Sequence, residues 1–253
     1  MKLKELLDIM GTIASEKKYS QPFICGGTPR DKYLKRLDNI SDLDLTTGDK
    51  TIHAFAKDAS LVLGKKYQIS TKVADDGHTS IHIGDLKMDF SSNFIVPGIE
   101  KILAAKGLNK PTDMQKELYS RDFTCNALLM SFDLKTIIDP INRGLKDIKN
   151  KKIVCCLDPS ITFTSNKNRV VRSIYLAAKL GFEIDDTIIS WVKTHPESIR
   201  FGSERSLTQK LNKALDYNPE KTLQLLSKMN LWNHIPISER LYPYYMKRLK
   251  EGK

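Results

Sequence analysis

The sequence predicts an α+β fold: a mixed or antiparallel sheet with helices over residues 1–160, followed by an all-α region over 161–253. Three observations carry this reading. Short apolar or alternating runs bounded by Gly, Pro and Asp recur early, at Pro22–Cys25, Ser41–Thr46, Tyr67–Lys72, Thr79–Ile83 and Lys87–Ser92. From about Thr164 onward the apolar residues instead recur every three or four positions, the period of helices packed on one face. With 253 residues, 40% of them hydrophobic, the chain can bury one sizeable core or two smaller ones.

In chain order, Leu3, Leu6, Leu7, Met10 and Ile13 form one stripe, with lysines opposite, and predict a helix over residues 3–18 that packs on the sheet. The run Pro22–Cys25 predicts a buried strand that stops at Gly26-Gly27, where the missing β-carbons let a phosphate approach the backbone. Thr28 as N-cap and Pro29 at the first helical position predict a helix to about Leu37, its free N–H groups directed above the glycines. Next, Leu43 and Leu45 alternate with Asp42 and Asp44, so the two carboxylates share the outer face of a strand about 7 Å apart. Their repulsion is relieved by hard divalent cations, although an Asp-x-Asp alone is more often a solvated strand edge. Thr51–Leu63 reads as a helix ended by Gly64. Three strands follow, with turns at Asp75-Asp76-Gly77 and Gly84-Asp85. In the third, Met88 and Phe90 point inward and Asp89 outward; beside the Asp42 strand, Asp89 completes a cluster of three carboxylates.

Residues 95–119, with Pro97, Gly98, Gly107 and Pro111, predict one short helix between loops. A hairpin over Leu128–Phe132 and Thr136–Asp139 closes this part. Thr164 or Ser165 then caps a helix in which Val170, Ile174, Ala177 and Ala178 face inward and which Gly181 ends. Asn166, Arg169 and Arg172 recur at three-residue spacing as one polar stripe, which spacing alone reads as a solvated face. Leu207, Leu211 and Leu215, then Leu223, Leu226 and Met229, predict antiparallel helices joined at Tyr217-Asn218-Pro219. Tyr242, Tyr244 and Tyr245 lie among Arg240, Lys247, Arg248 and Lys250, a mixture that suits RNA stacking or an exposed helix end.

Composition narrows the partners. Forty-one Lys and Arg against 30 Asp and Glu give a net charge of +11, which favours a polyanionic partner, nucleic acid rather than membrane. No run approaches the roughly 18 apolar residues of a membrane span. Glu5 and Asp8 within the first ten residues argue against a signal peptide, so a cytoplasmic location is expected. Cys25, Cys125, Cys155 and Cys156 lack Cys-x-x-Cys spacing and sit in apolar runs, as reduced buried thiols do. His78 and His82 have the spacing of a helical zinc pair but lie in a strand pattern, which argues against zinc.

The order strand, Gly26-Gly27, Arg30-Asp31, Arg36 and Asp42-x-Asp44 resembles the head-domain signature of the nucleotidyltransferase superfamily, in particular class II CCA-adding tRNA nucleotidyltransferases and bacterial poly(A) polymerases. Pro29 stands where that family has a small apolar residue. The resemblance puts the third carboxylate at Asp89, with Asn93-Phe94 where the family commonly has an arginine. Arg121-Asp122-Phe123-Thr124-Cys125-Asn126-Ala127 resembles the family's nucleotide-contacting motif, with Ser120 in place of its first arginine. By that resemblance Arg121 holds a phosphate oxygen, and Asp122 accepts the ribose 2′-hydroxyl; Asn126 either contacts the nucleotide or caps the backbone. RVVRSIYLAAKLGFEID, residues 169–185, is similar to the neck helix, and Ser203–Leu207 to the first body motif. In class II members an Asp and an Arg three apart on that helix read the base edge; Asn166 and Arg169 match those positions. An asparagine oxygen can accept from an exocyclic amine, but its amide can also donate, so looser base discrimination is expected.

The resemblance spans about residues 22 to 235. It implies a nucleotidyltransferase head over 1–160, and a helical neck and truncated body, without the family's tail, over 161–253. It further implies two Mg²⁺ ions held by Asp42, Asp44 and Asp89, with CTP and ATP as substrates. Nucleotide contacts would come from Gly26, Gly27, Arg30, Arg121, Asp122, Asn126, Asn166, Arg169 and Arg172, and the acceptor would be the 3′ end of tRNA or another RNA. Three functions remain open: CCA addition or repair, poly(A) or partial CC or A addition, and NTP or RNA binding without turnover.

Overall fold

The computed structural model describes residues 3–37, 39–75, 77–91, 95–201 and 203–250. It divides into two compact units, Met1–Lys146 and Asp147–Lys253. The division falls earlier than the position near 160 expected from helical periodicity, because a short strand after residue 150 pairs within the second unit.

The first unit runs α1 (Leu3–Glu16), β1 (Phe23–Cys25), α2 (Gly27–Tyr33), β2 (Asp42–Thr46), α3 (Thr51–Gly64), β3 (Ser70–Val73), β4 (Thr79–Ile83) and β5 (Leu86–Phe90). It continues with α4 (Ile99–Ala105), α5 (Asp113–Ser120), β6 (Leu129–Met130) and β7 (Ile137–Ile138), and α6 (Gly144–Lys149) begins at its end. Its seven strands form one sheet in the order β3-β4-β5-β2-β1-β6-β7. Every pairing is antiparallel except β2 against β5, which the long connection through α3 and the β3–β4 hairpin allows to run parallel.

Alternation decides what each sheet face carries. Leu43 and Leu45 on β2, Ile81 on β4, and Met88 and Phe90 on β5 are fully buried in one core with Leu6, Leu7 and Met10 of α1 and Ile52, Phe55 and Ala59 of α3. Burial of each such large side chain contributes about 1.5–3 kcal/mol. Phe55 and Phe90 meet edge to face, with ring centroids 5.7 Å apart. The opposite face of the same strands is thereby left to the polar residues.

Several boundaries differ from the sequence reading. Thr28 does not cap α2; Gly26, at φ 74° and ψ −129°, occupies the N-cap position, a conformation open to glycine. The helix also ends at Tyr33 rather than near Leu37, and Lys35 then turns left-handed at φ 56°. Gly64 is the last residue of α3 without a left-handed cap. Residues 95–119 hold two helices instead of one. Gly98 and Gly107, both at positive φ, flank α4, while Thr112 and Gln115 form a reciprocal capping box on α5. Of the predicted turn and strand ends, Asp76, Ser92, Asn93 and Phe94 lie outside the described residues.

The second unit comprises β8 (Lys152–Ile153), α7 (Pro159–Ser165), α8 (Asn168–Leu180), β9 (Glu183–Ile184), α9 (Asp186–Thr194), α10 (Glu204–Tyr217), α11 (Pro219–Lys228) and α12 (Tyr242–Lys250). It is not all-α, since β8 and β9 pair in parallel. Thr164 and Ser165 end α7 instead of capping α8, because Pro159 starts a separate helix and Asn166, extended at φ −156°, breaks it. Gly181 ends α8 left-handed, as expected. The leucine stripes of α10 and α11 are capped by Ser203 and Asn218. On α12, Tyr242 and Tyr244 are exposed, whereas Tyr245 leans on the Trp232 ring at 6.3 Å. Among the described residues no helix is long and apolar enough to cross a membrane.

Candidate active site

The polar sheet face of the first unit gathers the residues singled out from sequence. Two rows cross it by strand register. Ser80, Asp89, Asp44 and Cys25 lie side by side on β4, β5, β2 and β1, and His82, Lys87 and Asp42 form the next row. The expected placement of the Asp89 strand beside the Asp42 strand is thus what the sheet has.

At the end of β1, Gly26 closes on Asp44. A β-carbon on Gly26 would collide with the Asp44 Oδ2, and the backbone there is at φ 74°. The glycine expected to admit a phosphate therefore also makes room for the protein's own carboxylate. Gly26→Ala is expected to cost about 2 kcal/mol of stability, from backbone strain and the collision. Urea unfolding would check this.

Asp44 and Asp89 are direct neighbours across β2 and β5, with Asp42 two residues along the same face. Among the described residues no group of three His, Cys, Asp or Glu is arranged to hold a metal ion. Asp89 is buried, its Oδ1 accepts from Ser80 Oγ at 2.5 Å, and its Oδ2 accepts from Lys87 Nζ. Burial tends to raise the Asp89 carboxyl, but Lys87 and Ser80, followed by His78, hold it below the ordinary carboxylate range. Asp42 and Asp44 nonetheless suit a hard cation. Mg²⁺ is commonly held by one or two carboxylates, with water and substrate phosphates completing its shell, and these two oxygen-donor residues share one strand face.

Two networks surround this face. Arg30 is 3% exposed and donates from Nε to Asp31 Oδ1 at 2.8 Å and from Nη1 to Asn126 Oδ1. Asn126 donates in turn to Asp122 Oδ1 at 3.2 Å, and that oxygen also accepts the Phe123 N–H at 2.7 Å. These residues pin α2 to the turn at 122–126, and Arg30, expected to contact the nucleotide, is here a buried tie between the two. The second network centres on Glu117, which accepts from Thr46 Oγ1 and from Arg121 Nη2. Arg121 also donates to Cys25 Sγ at 3.0 Å, while its buried Nε has no partner among the described residues. Burial pushes the Cys25 thiol up to about 12 against the pull of Arg121, so it stays protonated. All four cysteines are buried and none is in a disulfide among the described residues. Ser120, in place of the motif's first arginine, is buried; its Oγ accepts the Val96 N–H at 3.0 Å and donates to the Lys116 carbonyl at 2.7 Å.

In the second unit, Arg169 and Arg172 lie half-buried on α8, but Asn166 precedes that helix and is exposed. The stripe of three is therefore two helical residues and one linker residue. Asn166 Oδ1 accepts the Asn168 N–H at 3.0 Å, and Arg169 donates to Ser165 Oγ at 3.0 Å.

Sequence reasoning missed Lys87 and Glu117. Both carried a signal: Lys87 is two residues from Asp89 on an alternating strand, and Glu117 is four residues from Arg121 on a helix.

Comparison with known proteins agrees with this architecture. The Poly A polymerase head domain family matches residues 22–154. A CCA-adding enzyme of Levilactobacillus brevis is 25% identical over 230 residues, covering 85% of this chain and 52% of that protein. A tRNA nucleotidyltransferase of Schizosaccharomyces pombe is 23% identical, over 91% of this chain and 51% of its own length. The chain thus spans about half the length of the curated relatives it matches. Among solved structures, a tRNA-processing enzyme superposes with TM-score 0.70 at 23% identity over 97% of this chain and 63% of that one. A tRNA nucleotidyltransferase complexed with a primer tRNA and an incoming ATP analogue gives 0.67 at 24% identity, covering 89% of this chain and 62% of that one. These likenesses show a shared fold.

Proposed function

This chain belongs to the Poly A polymerase head domain family, and on that premise we propose that it transfers CMP and AMP from CTP and ATP to the 3′ end of tRNA, adding or repairing the CCA end. The observation that carries the reading is the polar face of β2, where Asp42 and Asp44 stand on one side of the strand and Gly26 closes on Asp44. The names of the relatives favour tRNA as acceptor over other RNA. The excess of Lys and Arg suits a polyanionic acceptor, and a cytoplasmic location belongs to the same proposal.

Two Mg²⁺ ions, when held by Asp42 and Asp44, would supply a lowered pKa for the attacking 3′-hydroxyl and charge to offset the leaving pyrophosphate. The chain's own groups orient the reactants. Gly26 and Gly27 contribute backbone where a side chain would obstruct the Asp44 carboxylate. Arg121 is fixed through Nη2 by Glu117 at the edge of this face, and its guanidinium is the group assigned to a phosphate oxygen. Arg30, Asn126 and Asp122 are positioning residues that hold the turn carrying Arg121 to α2. For the acceptor strand, Tyr242 and Tyr244 offer exposed rings beside Lys247 and Lys250.

Base choice is assigned to Arg169, which donates to acceptors common to cytosine and adenine, and to Asn166, whose amide can accept or donate. Labelled CTP, ATP, UTP and GTP, each offered alone to tRNA ending in CC or lacking CCA, test this. The wild type is expected to prefer C and A over U and G about tenfold less strictly than Asn166→Asp. Equal strictness in the two proteins would remove Asn166 from base reading, while incorporation of A alone in long tracts would favour a poly(A) polymerase.

A further inference from the structure

Lys87 has no part in the reading above, yet it sits in the middle of the site. Period two places it on the same face of β5 as Asp89, and the parallel register makes Asp42 its direct neighbour on β2. Its ammonium contacts Asp89 Oδ2, while Ser80 Oγ holds the other oxygen at 2.5 Å and His78 Nε2 lies 3.7 Å away. The Asp89 side chain is 10% exposed and that of Lys87 40%, so the lysine reaches the carboxylate from the more open side.

Resting on the reading that Asp42 and Asp44 hold divalent cations, we propose that Lys87 is a resident counter-ion of this face, which neutralises Asp89 and must release it before Asp89 can ligate a metal. Three carboxylates in neighbouring register positions repel one another. A lysine ammonium on a flexible stem relieves that repulsion, and in doing so competes with any incoming cation. A divalent ion arriving at the face meets two carboxylates and an ammonium in place of three carboxylates.

The test is Mn²⁺ binding to the full chain, without nucleotide or RNA, read from the electron paramagnetic resonance signal of the free ion. K87M is expected to bind Mn²⁺ about tenfold more tightly than the wild type, since a unit positive charge is removed at a partly screened distance. K87R, which keeps the charge, retains wild-type affinity. In K87M/D89N the gain disappears, because the released carboxylate is absent. Circular dichroism checks that each variant is folded, and K87Q carries the same expectation should K87M fail to fold. Unchanged or weaker Mn²⁺ binding by folded K87M and K87Q overturns the proposal and leaves the role of Asp42 and Asp44 standing. No Mn²⁺ binding by any of the proteins overturns both.

Discussion

Asp44→Asn is expected to lower nucleotide transfer about 10³-fold while leaving the thermal midpoint within a few degrees of wild type. The amide has almost the volume of the carboxylate, so it fits against Gly26, where a β-carbon would not. What it lacks is the negative charge needed to hold a hard cation and to keep the reacting phosphate and hydroxyl in register. Asp44 is half-buried between the register positions of Cys25 and Asp89, so no neighbouring strand residue can replace it without moving the sheet. Single-turnover transfer of AMP to tRNA ending in CC, with Asp42→Asn in parallel, measures the loss. Activity within tenfold of wild type in both variants would mean that the chemistry lies elsewhere.

Glu117→Ala is expected to destabilise the first unit by about 3–5 kcal/mol, because it leaves the Arg121 guanidinium without its carboxylate in a largely buried position. That corresponds to a fall in unfolding midpoint on the order of 10 °C. Thr46 loses its acceptor at the same time. The double variant Glu117→Ala, Arg121→Met should recover part of the loss, since removing both partners leaves no orphaned charge. Differential scanning calorimetry on the three proteins gives the comparison; a double variant no more stable than Glu117→Ala would show that the pair does not act as a unit.

The strands of the first unit were legible because local alternation and tertiary burial agree there. Leu43, Leu45, Met88 and Phe90 all enter the core their spacing predicted. The neighbouring positions of Asp44 and Asp89 followed once the two strands were set side by side. Side-chain contacts across long stretches of chain were not legible. Arg30 and Asn126 lie 96 residues apart, and neither residue type announces that the pair is buried. The chain reads as basic and polar at both positions, whereas the fold uses the pair as a tie. The place of Asn166 was illegible for another reason: periodicity runs smoothly from α7 into α8 although the backbone is broken between them, so the spacing could not show that Asn166 precedes the helix that carries Arg169 and Arg172. Gly26 was identified as a close-approach glycine, but sequence alone could not say that the group approaching it is Asp44.

The most direct test of the account is to incubate the purified chain with Mg²⁺, CTP and ATP and with tRNA transcripts lacking CCA, CA or A, and then to sequence the 3′ ends. Each transcript is expected to be completed to CCA, extension then to stop, and Asp44→Asn to add nothing within the same interval. No extension of any transcript by folded wild-type protein would contradict it.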